Sequence, residues 1–213
     1  MNSLRLLFAT CACALALAAE RKPNILVIVS DDHGYADVGF NGGKAVPTPH
    51  LDALAASGVR CTSGYVSHPF CSPTRAGLLT GRYQQRFGHE NNPAYNPTDA
   101  VAGLPLTEKL LPQFLQEAGY RTGWIGKWHL GATPAHTPWA RGFQQTYGFI
   151  GGGHSFSGWA IDVKKEYNVP LTRDGQATTE VPAHLTEAFG KEAVAFIRRN
   201  AGAPWMLYLA FNA

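Results

Sequence analysis

The stretch Pro23–Asp32, PNILVIVSDD, governs how the rest of the chain is read. Asn24 to Ser30 is a short apolar run rich in β-branched residues, opened by Pro23 and closed by the acidic pair Asp31-Asp32. An unbroken apolar run of this length, without polar alternation, suits a strand covered on both faces, as in a parallel sheet. Two carboxylates at the C-terminal end of such a strand stand where open α/β sheets place ligands. Adjacent like charges repel unless a cation lies between them, and hard oxygen donors suit Ca²⁺ or Mg²⁺. A turn or helix-capping pair is the plainer reading of the same two residues.

Outward from this strand the pattern alternates. Thr48 as a cap, with Pro49 in the first helical position, opens a helix with Leu51, Leu54 and Ala55 on one side, ended by Gly58. Val59–Val66 reads as the next strand. Leu106–Ala118 has helical apolar spacing, but Pro112 inside it requires a late start or a kink. Gly119 stops that helix, and Tyr120–Ile125 reads as a strand. Residues 131–183, rich in Gly, Pro and His, read as long loops. Thr186–Asn200 reads as a helix with Phe189, Ala193, Phe196 and Ile197 inward and Arg198-Arg199 at the negative end of its dipole. Trp205–Phe211 is another apolar strand. This order predicts an α/β fold with a mainly parallel sheet flanked by helices. The sequence stops directly after an apparent central strand, so the C-terminal part of the fold is expected to be missing.

Composition narrows the classes. The 213 residues are 45% hydrophobic and 15% charged, which excludes a disordered chain or a coiled coil. The net charge is only +3 and no run of like charges occurs, so no nucleic-acid partner is expected. Residues 1–18 combine Arg5, the apolar run Leu6–Leu17 and the small-x-small site Ala16-Leu17-Ala18, the pattern of a secretory signal peptide. The run is too short for a membrane span. The expected location is therefore periplasmic or secreted. An oxidising compartment also permits a disulfide between Cys61 and Cys71.

Two further stretches carry candidate chemistry. In Cys71-Ser72-Pro73-Thr74-Arg75, Pro73 suits a first helical turn, which puts Cys71 at a helix N-terminus where backbone N–H groups favour an anion. Arg75, one turn in, can fork onto a tetrahedral oxyanion or support the side chain at position 71. A buried or disulfide-bonded cysteine capping a helix is the alternative. In Gly119–His129, GYRTGWIGKWH, a strand ends in Lys127 and His129, whose spacing points both the same way if the segment is extended. Lys127 can neutralise a bound anion and His129 can exchange a proton with a reacting oxygen. A solvated lysine and a structural histidine remain open for the same pair.

Taken together, N-I-L-x-I-x-x-D-D, C-x-P-x-R followed by Thr80-Gly81-Arg82-Tyr83, and G-Y-x-T-x-x-x-G-K-W-H occur in one order. The chain resembles, over residues 23–213, the N-terminal part of the catalytic domain of a formylglycine-dependent type I sulfatase of the alkaline phosphatase superfamily. That resemblance implies an alkaline-phosphatase-like fold and the hydrolysis of sulfate esters, whether small aryl sulfates or sulfated carbohydrates. It implies that a separate formylglycine-generating maturation enzyme oxidises Cys71. It further implies that Asp31, Asp32 and residue 71 bind one divalent cation, usually Ca²⁺ with Mg²⁺ possible. By the same resemblance Arg75 supports the residue-71 hydroxyls, Lys127 contacts the sulfate, His129 assists the residue-71 hydroxyl, and His154 contacts substrate. The chemistry is consistent: an aldehyde hydrate has a second oxygen with which to release sulfate, and a thiol has none.

The family takes its remaining metal ligands and a second catalytic lysine from beyond the position of residue 213, so the chain alone is expected to be an inactive fragment. Two alternatives stand beside this reading: a phosphonate or phosphate monoester hydrolase of the same superfamily, and a non-catalytic truncated relative. The aromatics Trp139, Phe143, Tyr147, Phe156 and Trp159 fit a sulfated carbohydrate, an aryl sulfate, or simple packing of the loops.

Overall fold

A computed structural model describes residues 22–157, 167 and 169–213. The expected signal peptide and Trp159 lie outside these residues. The strands are β1 (Ile25–Val29), β2 (Arg121–Lys127), β3 (Gln145–Phe149), β4 (Thr172–Arg173), β5 (Gln176–Ala177) and β6 (Trp205–Ala210). The helices are α1 (Pro49–Ser57), α2 (Cys71–Thr80), α3 (Leu111–Glu117) and α4 (Leu185–Arg199). The sheet order is β1-β6-β2-β3-β4-β5. The first four strands are parallel, and β4 and β5 add an antiparallel edge.

All six residues of β6 are buried, because helices cover both sides of the sheet there. Met206, Tyr208 and Ala210 pack with Trp124, Trp128 and Phe143 against Ala76 and Leu79 of α2. Trp205, Leu207 and Leu209 point the other way, onto Phe189, Ala193 and Phe196 of α4. Each large side chain so enclosed contributes roughly 1.5–3 kcal/mol of hydrophobic stabilisation. β1 shows what happens where that cover stops. Its Ile25, Val27 and Val29 join the first cluster, whereas Leu26 and Ile28 on the opposite side remain 42% and 48% exposed.

Several expectations change. Val59–Val66 is not a strand: it is irregular, with Val59 and Tyr65 more than 90% exposed. Its β-branched composition finds no neighbouring strand to pair with. The α1 stripe is helical as expected, yet Leu51 and Leu54 face solvent and no α1 residue is buried. The helix sought from Leu106 starts only at Leu111, which places Pro112 in the first turn, and Gln113 Oε1 accepts the Leu110 N–H. Residues 131–183 are not all loop, since β3 lies among them with four of its five residues buried. Cys61 and Cys71 are both free rather than bonded to one another.

Candidate active site

The site is assembled at the C-terminal ends of β1, β2 and β6. Asp31 leaves β1 with its N–H donating to Ala213 O at 2.7 Å, and Asp32 follows in the left-handed region at φ +48°. Cys71 is the first residue of α2, and Gly81, at φ +66°, closes that helix by donating to Gly77 O. One ligand atom from each of Asp31, Asp32 and Cys71 lies within 4.8 Å of the others. Gly126 precedes Lys127 at φ +115°, and a Cβ there would stand 1.8 Å from Ala210 O. Only glycine permits that close approach of β2 to β6.

Charge is concentrated on Asp31. Lys127 Nζ donates to Asp31 Oδ2 at 2.6 Å, and the Lys127 side chain is 2% exposed. Arg75 donates to Asp31 Oδ1 at 3.2 Å, to Lys127 O at 3.2 Å and to Tyr208 Oη at 3.3 Å. Burial works against the Arg75 charge, but Tyr208 and Asp31 outweigh it and raise the guanidinium above its ordinary range. The Tyr208 phenol is itself raised by burial. Arg75 is thus tied to Asp31 and the end of β2, and reaches residue 71 through that frame rather than by a hydrogen bond of its own.

His129 does not continue the strand. Its φ of +60° turns the chain after Lys127, and its N–H donates to Ile150 O. Lys127 and His129 therefore converge on one cavity through a turn, not through strand periodicity. Burial pushes the His129 imidazole down to about 3, and the nearby charges of Lys127 and Arg75 add to the shift. That direction favours the neutral ring, and among the described residues its buried Nδ1 meets no partner in good hydrogen-bond geometry. The cavity, about 600 Å³, is lined by Asp31, Asp32, Cys71, Lys127, His129 and His154, with Asn92, Phe156, Tyr167 and Asn212 at its wall.

His154 reaches this cavity, but both ring nitrogens are engaged, Nδ1 at 2.8 Å from Ser155 O and Nε2 at 3.0 Å from Val169 O. The sequence reading passed over Asn92. Its Oδ1 accepts the N–H of Ser72 at 2.9 Å, in the first turn of α2. Because a backbone N–H needs an acceptor, this bond fixes the amide's orientation and leaves its NH₂ as the free end. No local pattern flags Asn92, which lies 20 residues from its partner in an irregular segment.

The sulfatase family profile matches residues 23–213. The chain belongs to the sulfatase family. It is 39% identical to the dog (Canis lupus familiaris) N-acetylgalactosamine-6-sulfatase over 229 residues, covering 98% of this chain and 43% of that protein. It is 36% identical to the Klebsiella aerogenes arylsulfatase over 205 residues, covering 92% of this chain and 44% of the relative. Among solved structures, Ps i-CgsB in complex with k-i-k-neocarrahexaose superposes with a TM-score of 0.83 at 42% identity, over 91% of this chain and 45% of that one. This sulfatase chain therefore spans less than half the length of these relatives. Its sheet, mostly parallel and flanked by helices, has the alkaline-phosphatase-like fold of those neighbours.

Proposed function

We propose that the natural protein is an exported sulfatase in which residue 71, converted from Cys71 to formylglycine by a separate maturation enzyme, is the nucleophile that opens a sulfate ester. The observation that carries this reading is the meeting of Asp31, Asp32 and Cys71 within 4.8 Å, beside Lys127 and Arg75. The donor set suits a hard divalent cation, Ca²⁺ or Mg²⁺: two carboxylates converge with position 71, whose Sγ stands in for an oxygen of the modified residue. Three donors are half or fewer of the roughly 6–8 oxygens Ca²⁺ takes. Substrate oxygens, water and other protein groups complete the shell. A cation there supplies Lewis-acid charge stabilisation, and the modified side chain supplies the hydroxyl that a thiol lacks.

The chain's own residues do the rest. Lys127, buried and adjacent to Asp31, binds a non-bridging sulfate oxygen and offsets its charge. Arg75 holds Asp31 and the α2 frame in register. His129, which lines the same cavity as residue 71, exchanges a proton with a residue-71 hydroxyl. His154 shapes the cavity wall. The carbohydrate names among the relatives favour a sulfated glycan over a simple aryl sulfate as natural substrate.

The decisive experiment uses the natural full-length protein from its host. Peptide mass spectrometry at residue 71 is expected to find formylglycine, and matched sulfate and phosphate esters are expected to be turned over in favour of sulfate. A residue 71 that is wholly thiol, or faster phosphate turnover, overturns the reading. A signal peptide predicts that the mature protein in the periplasm or medium begins after residue 18.

A further inference from the structure

His89 is a buried titratable group that the mechanism above leaves unused. It is 6% exposed, and it touches the first turn of α2 without lining the main cavity. Its Nε2 lies 2.7 Å from Ser72 Oγ, and its Nδ1 lies 3.2 Å from Gly103 O. Ser72, fully buried and next to residue 71, donates its hydroxyl hydrogen to the carbonyl of His129. A carbonyl can only accept, so with the Ser72 hydrogen on His129 O the shorter His89 contact, Nε2 to Ser72 Oγ at 2.7 Å, takes the N–H of the neutral ring; the longer Nδ1 contact to Gly103 O then carries no hydrogen, because burial disfavours the doubly protonated form. Gly103 in turn pairs with Gly131, two residues beyond His129, and Leu104 N–H donates to Leu130 O.

From these contacts we propose that His89 is a positioning residue for the sulfatase reaction, acting through Ser72 to lock the backbone at His129 and so aim its imidazole at residue 71. The need for such a lock is visible in the backbone. His129 sits at φ +60°, a conformation that a non-glycine residue holds only when its surroundings over-determine it. Its N–H is fixed from one side by Ile150 O and its C=O from the other by Ser72 Oγ. Ser72 is orientable only because His89 fills its acceptor side and Asn92 takes its N–H. One short chain of hydrogen bonds thereby couples the turn bearing the nucleophile to the turn bearing the proton acceptor. Removing its buried donor leaves both ends folded but free to drift by fractions of an ångström, which is enough to impair a reacting pair.

This inference rests on the sulfatase reading for its kinetic arm only. In the natural full-length, matured enzyme, His89→Leu is expected to lower kcat roughly 10–100-fold, the usual range for residues that orient catalytic groups, with KM within about twofold. His89→Gln keeps an amide N–H donor for Ser72 Oγ and is expected to recover most of the loss. Equal losses in the two variants, tracking their fall in Tm, make His89 merely structural and overturn the proposal, as does a His89→Leu enzyme with unchanged kcat. The second arm needs no activity. In protein labelled with ¹⁵N-histidine, long-range ¹H–¹⁵N spectra are expected to show His89 as the Nε2–H tautomer. The His129 ring signals should move in His89→Leu and return towards wild type in His89→Gln. A His89 protonated only on Nδ1, or a His129 signal indifferent to both variants, overturns the proposal. A wild-type protein without sulfatase activity but with these spectra overturns the function and leaves the positioning intact.

Discussion

Lys127 Nζ and Asp31 Oδ2 stand 2.6 Å apart at the ends of two strands that are not neighbours, with β6 between them. The pair joins the first and third sequence motifs, 96 residues apart, into one charged unit. Lys127→Met leaves Asp31 only its Arg75 partner. Breaking one arm of a buried ion pair costs about 3–5 kcal/mol, towards the lower end here because Arg75 remains. Urea unfolding should show that loss, and sulfate ester turnover by the matured enzyme should fall at least about 100-fold if Lys127 also binds the substrate anion.

Cation binding should be visible as stability. A ligand that binds only the folded protein raises Tm with its concentration. Millimolar Ca²⁺ is expected to raise the melting temperature of the natural protein, and a chelator to lower it. In Asp32→Asn the dependence should shrink sharply while the fold persists, because the Asp32 side chain supports no buried ion pair. Identical calcium titrations of wild type and variant would count against a cation on these carboxylates.

His129 predicts a specific acid sensitivity. Its folded pKa, about 3, lies below the value near 6.5 expected when unfolded. The unfolded state therefore binds the proton more readily. The associated stability is fully present above about pH 6.5 and is lost as pH falls towards 3. His129→Gln cannot take up that proton, so its stability should fall less steeply across the same window. Burial lowers His89 in the same direction, so some acid sensitivity should survive the His129 change.

Gly152 closes against the imidazole: a Cβ at this position would lie 2.8 Å from His129 Nε2. Gly152→Ala is expected to displace the ring and lower kcat several-fold with little change in Tm, because the glycine lies in an irregular segment beside the cavity. Wild-type kcat in that variant would show that the ring tolerates the shift.

Asn92→Ala removes the side-chain acceptor for the Ser72 N–H in the first turn of α2. By analogy with other helix-terminus acceptors, about 1 kcal/mol of stability should be lost, measurable by denaturant unfolding.

Much of this protein was legible along the chain because local rules dominate there. Unbroken apolar runs gave β1 and β6, Pro49 and Gly58 bounded α1, and the i, i+4, i+7 spacing of Phe189, Ala193 and Phe196 predicted the face that α4 buries. Cys71 could be placed at a helix start because Pro73 is tolerated only in a first turn. Where composition alone spoke, it misled. Val59–Val66 has strand-forming residues and no partner, whereas β3, QTYGF, carries a glycine and is a strand because β2 pairs with it from Gly123↔Gln145 to Lys127↔Phe149.

The sequence by itself determined the residue types of the site, the order of its three motifs and the parallel character of the sheet, since all of these are fixed by short-range spacing and side-chain chemistry. Tertiary structure alone decided what those residues do to one another. It set Asp31 between Lys127 and Arg75, engaged both nitrogens of His154 with backbone carbonyls, and brought Ser72, His89 and Asn92 to the turn that carries Cys71. The physical reason is that hydrogen bonds and ion pairs act over about 3 Å in space. The ion-pair partners and the three residues at the Cys71 turn lie 17 to 96 residues apart in sequence, and only the packed sheet closes that distance.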